Sequence, residues 1–554
     1  MEQLREYEVF INKGKFSYSK IPRRFDPLRV HMVFDVKYDG RHKARLVADG
    51  HLTQTPVESV YSGVVSLRGF RMCLFIAELN NLKTYVTDIG NAFLESYMTE
   101  KLYIKAGSEF GDLEGHLLIV SKSLYGLCSS SARFNEMLGR CLSRLGFKRS
   151  KCENDIWIRD DGDYYSLIAT YVDDIAVISA EPMKIIEAMQ AAPFNFKLKG
   201  SQPIENAVHL GSKFSRTSDG TLAMDPNQYI TRMEDAYNQR FPNETLSKKI
   251  LSPLEPGDHP ELDTSEFLDQ DGIEIYQSLI GAFQWAITLG RWDIQTAIMT
   301  LSGFRAMPRV GHLQRVKRVY NYIINHRHYL IQFNVNEPNY DTLEPDRFDW
   351  SNQPYGNETE ELPTDAPPPK GKRVVLSHWF DANLMHDLLS GKSVTGVFHM
   401  ANLTPIQWYS KKQSTSETAT YGAEFLAART CLEQVVDLRN SFRYLGVPVH
   451  ETSYVWGDNE AQIKSSTIPY SKLSKRHNIL SFHYVRSLLS RGFIRLGHLP
   501  SEYNVADTLS KHWSHQGNYT KLIKPLLNSH KPYVVIDELP EGYEFVRVNS
   551  SGEY

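Results

Sequence analysis

The sequence predicts a multidomain chain of mixed α+β and α/β architecture, and three observations predict it. Short apolar, β-branched runs alternate with amphipathic helical patterns along most of its length. The 554 residues exceed what one hydrophobic core serves, so two to four domains are expected; 41% hydrophobic and 12% aromatic residues supply several cores. A proline-rich, acidic stretch, residues 336–372, interrupts the pattern before a second series of strands and helices begins.

The first element with a clear signal is a hairpin, HMVFDVKYDGRHKARLVADGH. His31–Lys37 alternates, Asp39–Gly40 turns the chain, and Lys43–Ala48 returns. Lys37, Arg41, Lys43 and Arg45 flank that turn; the basic tip is either solvated or reaches a triphosphate or nucleic-acid backbone. Ser66–Asn80 spaces Leu67, Phe70, Cys73, Leu74 and Ala77 as the buried face of a helix. In KTYVTDIGNAFLE a strand ends at Asp88 and a helical turn follows; such a carboxylate is a cap or a ligand. KSLYGLCSSSARFNEMLGRCLSRLGF is a loop feeding a long amphipathic helix. Ser129–Ser131 supply N-cap character, Leu138, Cys141, Leu142 and Leu145 form the buried stripe, and Gly126 suggests a close backbone approach.

LIATYVDDIAVIS sets Asp173 and Asp174 between two apolar runs and reads as a hairpin with two adjacent carboxylates at its tip. Bare neighbouring carboxylates repel unless a cation sits between them, so a divalent metal site is one reading. The other is that Asp-Asp is simply a good turn dipeptide. A helix near Lys184–Ala192 follows, then FKLKG and HLGSKF, strands or a hairpin. From about Leu251 the chain turns helical. HLQRVKRVYNYIINH puts Arg315, Lys317 and Arg318 around an apolar face, either solvated or lying on a phosphate backbone.

Residues 336–372 carry seven prolines and many acidic residues, which predicts a largely extended linker. Beyond it, RVVLSHWFDANL is a strand ending in Asp381, and GVFHM and TPIQWYS are two further strands. SETATYGAEFLAARTCLEQVVDLRNSFRYLG is a long helix with Glu424 in its first half. YVWGDN is a strand ending in Asp458, KRHNILSFHYVRSLLSRG a basic amphipathic helix, and GFIRLGHLP a strand. EYNVADTLSKH places Asp507 at a helix start. This is a mixed sheet with helices and four acidic residues at element ends. The tail from about Ser514 carries no pattern.

Net charge is −3, so no global basic field marks a polyanion partner, and any such site must be a local patch. Cys73, Cys128, Cys141, Cys152 and Cys431 show neither metal-ligand nor disulfide spacing and read as reduced thiols. No signal peptide and no membrane-spanning run is recognised, so a soluble intracellular protein is expected.

These blocks, in order, resemble the reverse transcriptase and ribonuclease H portion of the copia-type retrotransposon polyprotein. RHKARLVADGH, TDIGNAFLE, KSLYGLCSSSARF, YVDD, HLGSKF, YQSLIGAFQWA and RWDIQTA match the first part. SKKQSTSETATYGAEF, GDNEA, KRHNILSFHYVR and NVADTLSKH match the second. The resemblance covers about His31 to His512. It implies a right-hand polymerase: fingers and palm over residues 1–245 and a thumb or connection over 246–335. The linker 336–372, an RNase H-like domain over 373–513 and a tail over 514–554 would follow. It also implies location in a cytoplasmic virus-like particle or the nucleus. Protease, integrase and zinc-knuckle blocks are not recognised, which suggests a fragment or a shortened reading frame. Cys128 and Ser129 stand where relatives carry a basic and an amide residue.

The resemblance makes Asp88, Asp173 and Asp174 the polymerase triad, with Asp88 and Asp173 as bridging ligands and Asp174 more peripheral. Phe93 would lie under the sugar of the incoming deoxynucleoside triphosphate and exclude a 2′-hydroxyl, unless it is only core. Lys43 and Arg45 would lie near the triphosphate. Tyr171 and Gly126 would belong to the substrate site, and Leu210 and Gly211 to the primer grip. Asp381, Glu424, Asp458 and Asp507 would be the ribonuclease quartet. Lys411, Lys412, Lys472, Lys475 and Arg476 are candidates to hold the backbone of an RNA–DNA hybrid, or are solvated charges. Each centre would use two divalent ions, roughly 3.5–4 Å apart, to activate the attacking oxygen and stabilise the leaving group. Hard oxygen ligands suit Mg²⁺, with Mn²⁺ as an alternative. The implied partners are an RNA template, a DNA primer, their hybrid and deoxynucleoside triphosphates. Two other readings stay open: a non-catalytic, nucleic-acid-binding relic, and a metal nuclease using the C-terminal centre alone.

Overall fold

The computed structural model describes residues 2–527 apart from 37–39, 54–59, 248, 341–342, 344, 357 and 474–475. Lys37 and Asp39 of the expected turn, Lys475, and the tail from residue 528 lie outside the described residues. The chain divides into two compact units: Met1–Ser66 with Lys83–Pro203, and Leu67–Leu82 with Ile204–Tyr554. Among the described residues no helix is long and apolar enough to cross a membrane.

The first unit is built on a six-stranded sheet. Its strands lie in the order Leu198–Pro203, Lys83–Ile89, Asp174–Ser179, Tyr165–Tyr171, Ile156–Asp160, Lys148–Arg149. Leu167, Ile168, Ala169 and Ile175 through Ile178 are all buried, which explains a near-continuous apolar run rather than strict alternation. The helices Ser130–Arg144 and Pro182–Gln190 pack Phe134, Leu138, Ile185 and Ile186 against Ile168, Ile175 and Val177. The predicted basic hairpin is present as Val30–Val36 paired with His42–Ala48. A four-stranded sheet of Phe10–Lys15, His116–Val120, Leu102–Lys105 and Asp26–Pro27 completes the unit.

Two local expectations change. Ser129 precedes the helix Ser130–Arg144 but makes no capping hydrogen bond, because its own backbone is already helical. Ser130 instead donates to the Leu124 carbonyl at 2.6 Å, tying the helix back to its feeding loop. In the acidic hairpin, Tyr171 pairs with Asp174, so Val172 and Asp173 form the turn and Asp174 opens the next strand. Val172 takes a positive φ of 57°, as a two-residue hairpin turn demands.

In the second unit, Leu67–Leu79 is a core helix with eleven buried residues, so its apolar pattern is satisfied on nearly every side. Gln270–Thr288, Gln295–Ser302 and Val310–Asn325 are the predicted helical run; Asp269 caps the first by accepting from Gly272 N at 2.9 Å. Arg315, Lys317 and Arg318 neither stand free in solvent nor form an open phosphate track. Arg315 pairs with Asp258 at 2.9 Å and Asp263 at 2.7 Å, Lys317 with Glu244, and Arg318 with Glu255. The carboxylates come from the preceding acidic segment, which the helical periodicity does not reveal.

Residues 336–372 carry no helix or strand in their described part, as expected, yet they do not run free. Trp350 and Tyr340 are buried, and Glu360 accepts from Arg439 at 2.7 Å and from Arg443 at 2.8 Å. The C-terminal sheet has the order Thr404–Lys412, Lys392–Ala401, Leu376–Asp387, Ser453–Gly457, Ile494–His498. The first three strands are antiparallel and the last two join in parallel. Helix Thr420–Tyr444 lies in the connection to the parallel strand Ser453–Gly457 and packs on the sheet through Phe425, Ala428 and Val435. Asp381 is not a strand terminus, because the strand continues to Asp387. The tail is helical from His515 to Leu527, and it buries Leu522, Ile523, Leu526 and Leu527.

Candidate active sites

In the six-stranded sheet, Lys83–Ile89 and Asp174–Ser179 run side by side, and Asp88 is the register partner of Asp174. Asp173, in the turn, is fixed through its carbonyl, which accepts from Ile89 N at 2.9 Å. Asp88 and the adjacent pair Asp173–Asp174, remote from it in sequence, are thereby brought to one end of two neighbouring strands. Burial pushes the Asp174 carboxyl up to about 6, with Asp173 and then Asp88 adding repulsion. The residue expected to be peripheral is thus the one set against Asp88. The cause is the turn register, which gives the tip to Val172 and Asp173. Lys199, which the sequence reading passed over, is the register partner of Asp88 on its other side.

Of the expected substrate residues, five lie in the same unit as these carboxylates and two, Leu210 and Gly211, in the other. Phe93, on the short helix Ala92–Glu95, lies with its ring 5.0 Å from that of Tyr125 and 6.3 Å from that of Phe134. The Arg45 guanidinium lies 5.2 Å from the Tyr125 ring centre. Burial raises the Tyr125 hydroxyl, Arg45 opposes that, and Asp173 and Asp88 reinforce it. Tyr125 therefore links the basic hairpin, Phe93 and the carboxylates, although the sequence reading named its neighbour Gly126. The signal was an aromatic residue inside a quoted block. Gly126, at φ 91°, makes its close approach to protein rather than open space: an added Cβ would stand 2.1 Å from the Ala48 carbonyl oxygen. Lys43 lies two residues before Arg45 on the same strand, and Tyr171 directly precedes the acidic turn. Leu210 and Gly211 form the turn between Val208–His209 and Ser212–Arg216 in the second unit, with φ of 49° and 87°.

The second centre is in the C-terminal sheet. Asp381, Glu424 and Asp458 each offer a carboxylate oxygen, and these oxygens lie within 4.8 Å of one another. Asp458 follows the strand Ser453–Gly457 and is held by Ser501, whose hydroxyl donates at 2.6 Å. Glu424 accepts from Ala382 N at 3.3 Å through one oxygen, while Oε2 is buried without a hydrogen-bond partner. Burial pushes Glu424 well above the ordinary carboxylate value, and Asp381 and Asp458 add to it. Asp458 is pushed up to about 6, by burial and then by Asp381. Gly396, the partner of Asp381, makes room for the Asp507 helix; a Cβ there would stand 2.5 Å from Ala506 O.

Asp507 opens the helix Asp507–Ser510 and couples electrostatically to Asp381, but it does not join the three gathered carboxylates. It is held instead by Lys511 and by Asn518, whose side-chain amide donates at 2.8 Å. Lys511 also reaches Asp381 at 3.3 Å. Burial opposes the Lys511 charge, but Asp381 and Asp507 outweigh it and hold the ammonium well above the ordinary lysine value. Lys511 was missed, although it stands four residues after Asp507 in a quoted block. Of the expected hybrid contacts, Lys412 is paired with Asp387, while Lys411, Lys472 and Arg476 are exposed.

The Asp381, Glu424 and Asp458 donor set fits a hard divalent cation: it is carboxylate throughout, and the unpartnered Glu424 oxygen marks a ligand direction that no protein group fills.

Residues 14–242 match the family model described as reverse transcriptase (RNA-dependent DNA polymerase). The chain is 23% identical over 488 residues to the retrovirus-related Pol polyprotein from transposon RE1 of Arabidopsis thaliana, covering 86% of this chain and 30% of that protein. It is 22% identical over 523 residues to the corresponding polyprotein from transposon TNT 1-94 of Nicotiana tabacum, covering 91% and 36%. It thus spans about a third of the length of these two relatives. Among solved structures, it is similar to a foamy viral protease-reverse transcriptase in complex with double-stranded DNA, with TM-score 0.47 and 15% identity, covering 90% of this chain and 68% of that one. It is also similar to RNase H1 from Halobacterium salinarum NRC-1, with TM-score 0.20 and 17% identity, covering 25% and 95%. Residues 14–242 match a reverse transcriptase domain, and the chain is similar over most of its length to the Pol polyproteins of copia-type retrotransposons.

Proposed function

We propose that the chain is an RNA- and DNA-directed DNA polymerase that also cleaves the RNA strand of RNA–DNA hybrids, each centre working with two divalent ions, Mg²⁺ or Mn²⁺. The observation that carries this reading is the gathering of remote carboxylates at two separate places, one of them buried with an unpartnered oxygen. Asp88, Asp173 and Asp174 would hold the ions of the first centre, and Asp381, Glu424, Asp458 and Asp507 those of the second. Bound there, such ions lower the charge on the reacting phosphate and ready the attacking oxygen.

The chain's own residues place the substrates. Arg45, fixed over Tyr125, and Lys43 on the same strand would attract the triphosphate of the incoming nucleotide. Phe93, half-buried beside Tyr125, would press on its sugar. Tyr171 would abut the primer end, and the Leu210–Gly211 turn would grip the primer strand. Gly126 serves by letting strand His42–Ala48 approach, which sets Arg45 in place. Exposed Lys411, Lys472 and Arg476 would meet the hybrid backbone. The polyprotein kinship supports work in a cytoplasmic particle or the nucleus.

The test is primer extension on an RNA template, with hybrid cleavage measured on the same preparation. Asp173→Asn should lower extension about a thousandfold or more and leave cleavage intact, and Asp458→Asn should do the reverse. Template binding without either reaction, in well-folded protein, would establish the relic reading instead. Cleavage without extension would establish the nuclease reading.

A further inference from the structure

The nuclease centre holds a cation of its own. Lys511 Nζ lies between Asp381, at 3.3 Å from Oδ2 and 3.4 Å from Oδ1, and Asp507, four residues before it. Asp381 is also one of the three carboxylates gathered within 4.8 Å with Glu424 and Asp458. The centre is therefore lopsided. On the Glu424 side a buried carboxylate oxygen has no partner, so a cation entering there finds a ligand atom that no protein group holds. On the Asp507 side the ammonium already bridges both acids. Asn518 holds the other Asp507 oxygen at 2.8 Å, and the Ser510 hydroxyl donates to Asp381. A divalent ion arriving on that side competes with a charge tethered to the chain.

We propose that Lys511 is a positioning residue that occupies the Asp381–Asp507 side of the centre and must swing away before a second divalent ion binds. The first ion then enters on the Glu424 side at low metal concentration, and the second enters only at higher concentration. Lys511 sets the gap between the two affinities, because affinity for a hard cation follows the uncompensated ligand charge. In the metal-free protein the ammonium also offsets repulsion among four carboxylates. This inference rests on the nuclease reading above.

The experiment uses the full chain with Asp173→Asn, to remove binding at the polymerase centre, and Mn²⁺ alone as the probe. Bound Mn²⁺ is counted by paramagnetic resonance of the free ion, and unfolding is followed in chelator and in Mn²⁺. In this background Lys511→Gln should tighten the weaker class of Mn²⁺ sites by about tenfold, through the extra uncompensated charge. It should also lower the melting temperature in chelator but not in Mn²⁺, and Lys511→Arg should keep the parent isotherm. If the glutamine variant folds poorly even in Mn²⁺, Lys511→Met is read in its place. A glutamine or methionine isotherm superimposable on the parent overturns the proposal, whatever the change in melting. Asp458→Asn in the same background separates the two levels: if it leaves Mn²⁺ binding unchanged, the nuclease reading itself has failed.

Discussion

Phe93 contacts Tyr125 on one side and reaches the Phe134 core on the other, so it is a packing residue that also touches the aromatic ring coupled to the carboxylates. Phe93→Ala should raise the use of ribonucleotides relative to deoxynucleotides by about tenfold or more, since the steric block is gone while triphosphate contacts remain. Matched primer-extension rates with the two substrate sets measure it; an unchanged ratio with reduced stability would assign Phe93 to the core alone. The buried C-terminal acids give a pH signature. The Asp458 carboxyl titrates near 6 in the fold against 3.8 ordinarily, so the folded state binds more protons between those values. Metal-free stability should therefore fall as pH rises from about 4 to about 6 and stay reduced above that. Asp458→Asn should stabilise the chelated protein at pH 7 by about 1–2 kcal/mol, after allowance for solvent screening, and the gain should vanish near pH 4. Urea denaturation at both pH values checks it. At this scale the acids were legible because carboxylates beside apolar strand runs are conspicuous. Tyr125 and Lys511 were not, because what defines each is a partner distant in sequence: Arg45 for one, Asp381 for the other.

Among the elements, the acidic hairpin and the antiparallel start of the C-terminal sheet follow from β-branched runs broken by turn residues. The strand expected to end at Asp381 runs on to Asp387, because its antiparallel pairing with Lys392–Ala401 continues past the acid. RWDIQTA entered only as one block of the resemblance, and the structure gives it a structural role. Arg291 and Asp293 form a fully buried pair, with guanidinium nitrogens 3.0 and 2.8 Å from the carboxylate oxygens. The Tyr322 hydroxyl donates to the same carboxylate at 2.8 Å, and Trp513 donates to the Asp293 carbonyl at 2.9 Å. Removing one partner strands the other charge in the core. Asp293→Ala should cost about 3–5 kcal/mol in the unit that contains it, read from denaturant midpoints.

For the whole molecule, charge pairing explains what composition could not. A net charge of −3 hides the fact that Arg315, Lys317 and Arg318 are already committed to acids of the chain itself. The segment 336–372 is extended, as its prolines and acids predict, but its docking was signalled only by Tyr340 and Trp350, both buried. Glu360 anchors it through Arg439, itself almost fully buried, and Arg443. Glu360→Ala should lose about 2–3 kcal/mol of local stability and expose the segment to protease, leaving the carboxylate centres intact. Limited proteolysis with mapping of the first cut measures this. The docked segment also bears on how the C-terminal part can be excised. A fragment begun at residue 373 would strip Trp350 from the Arg486 side chain that stacks on it and leave Arg439 and Arg443 without their acid. A well-folded excised C-terminal fragment should therefore begin ahead of Tyr340, and libraries of staggered start sites should show expression rising sharply once that tyrosine is included.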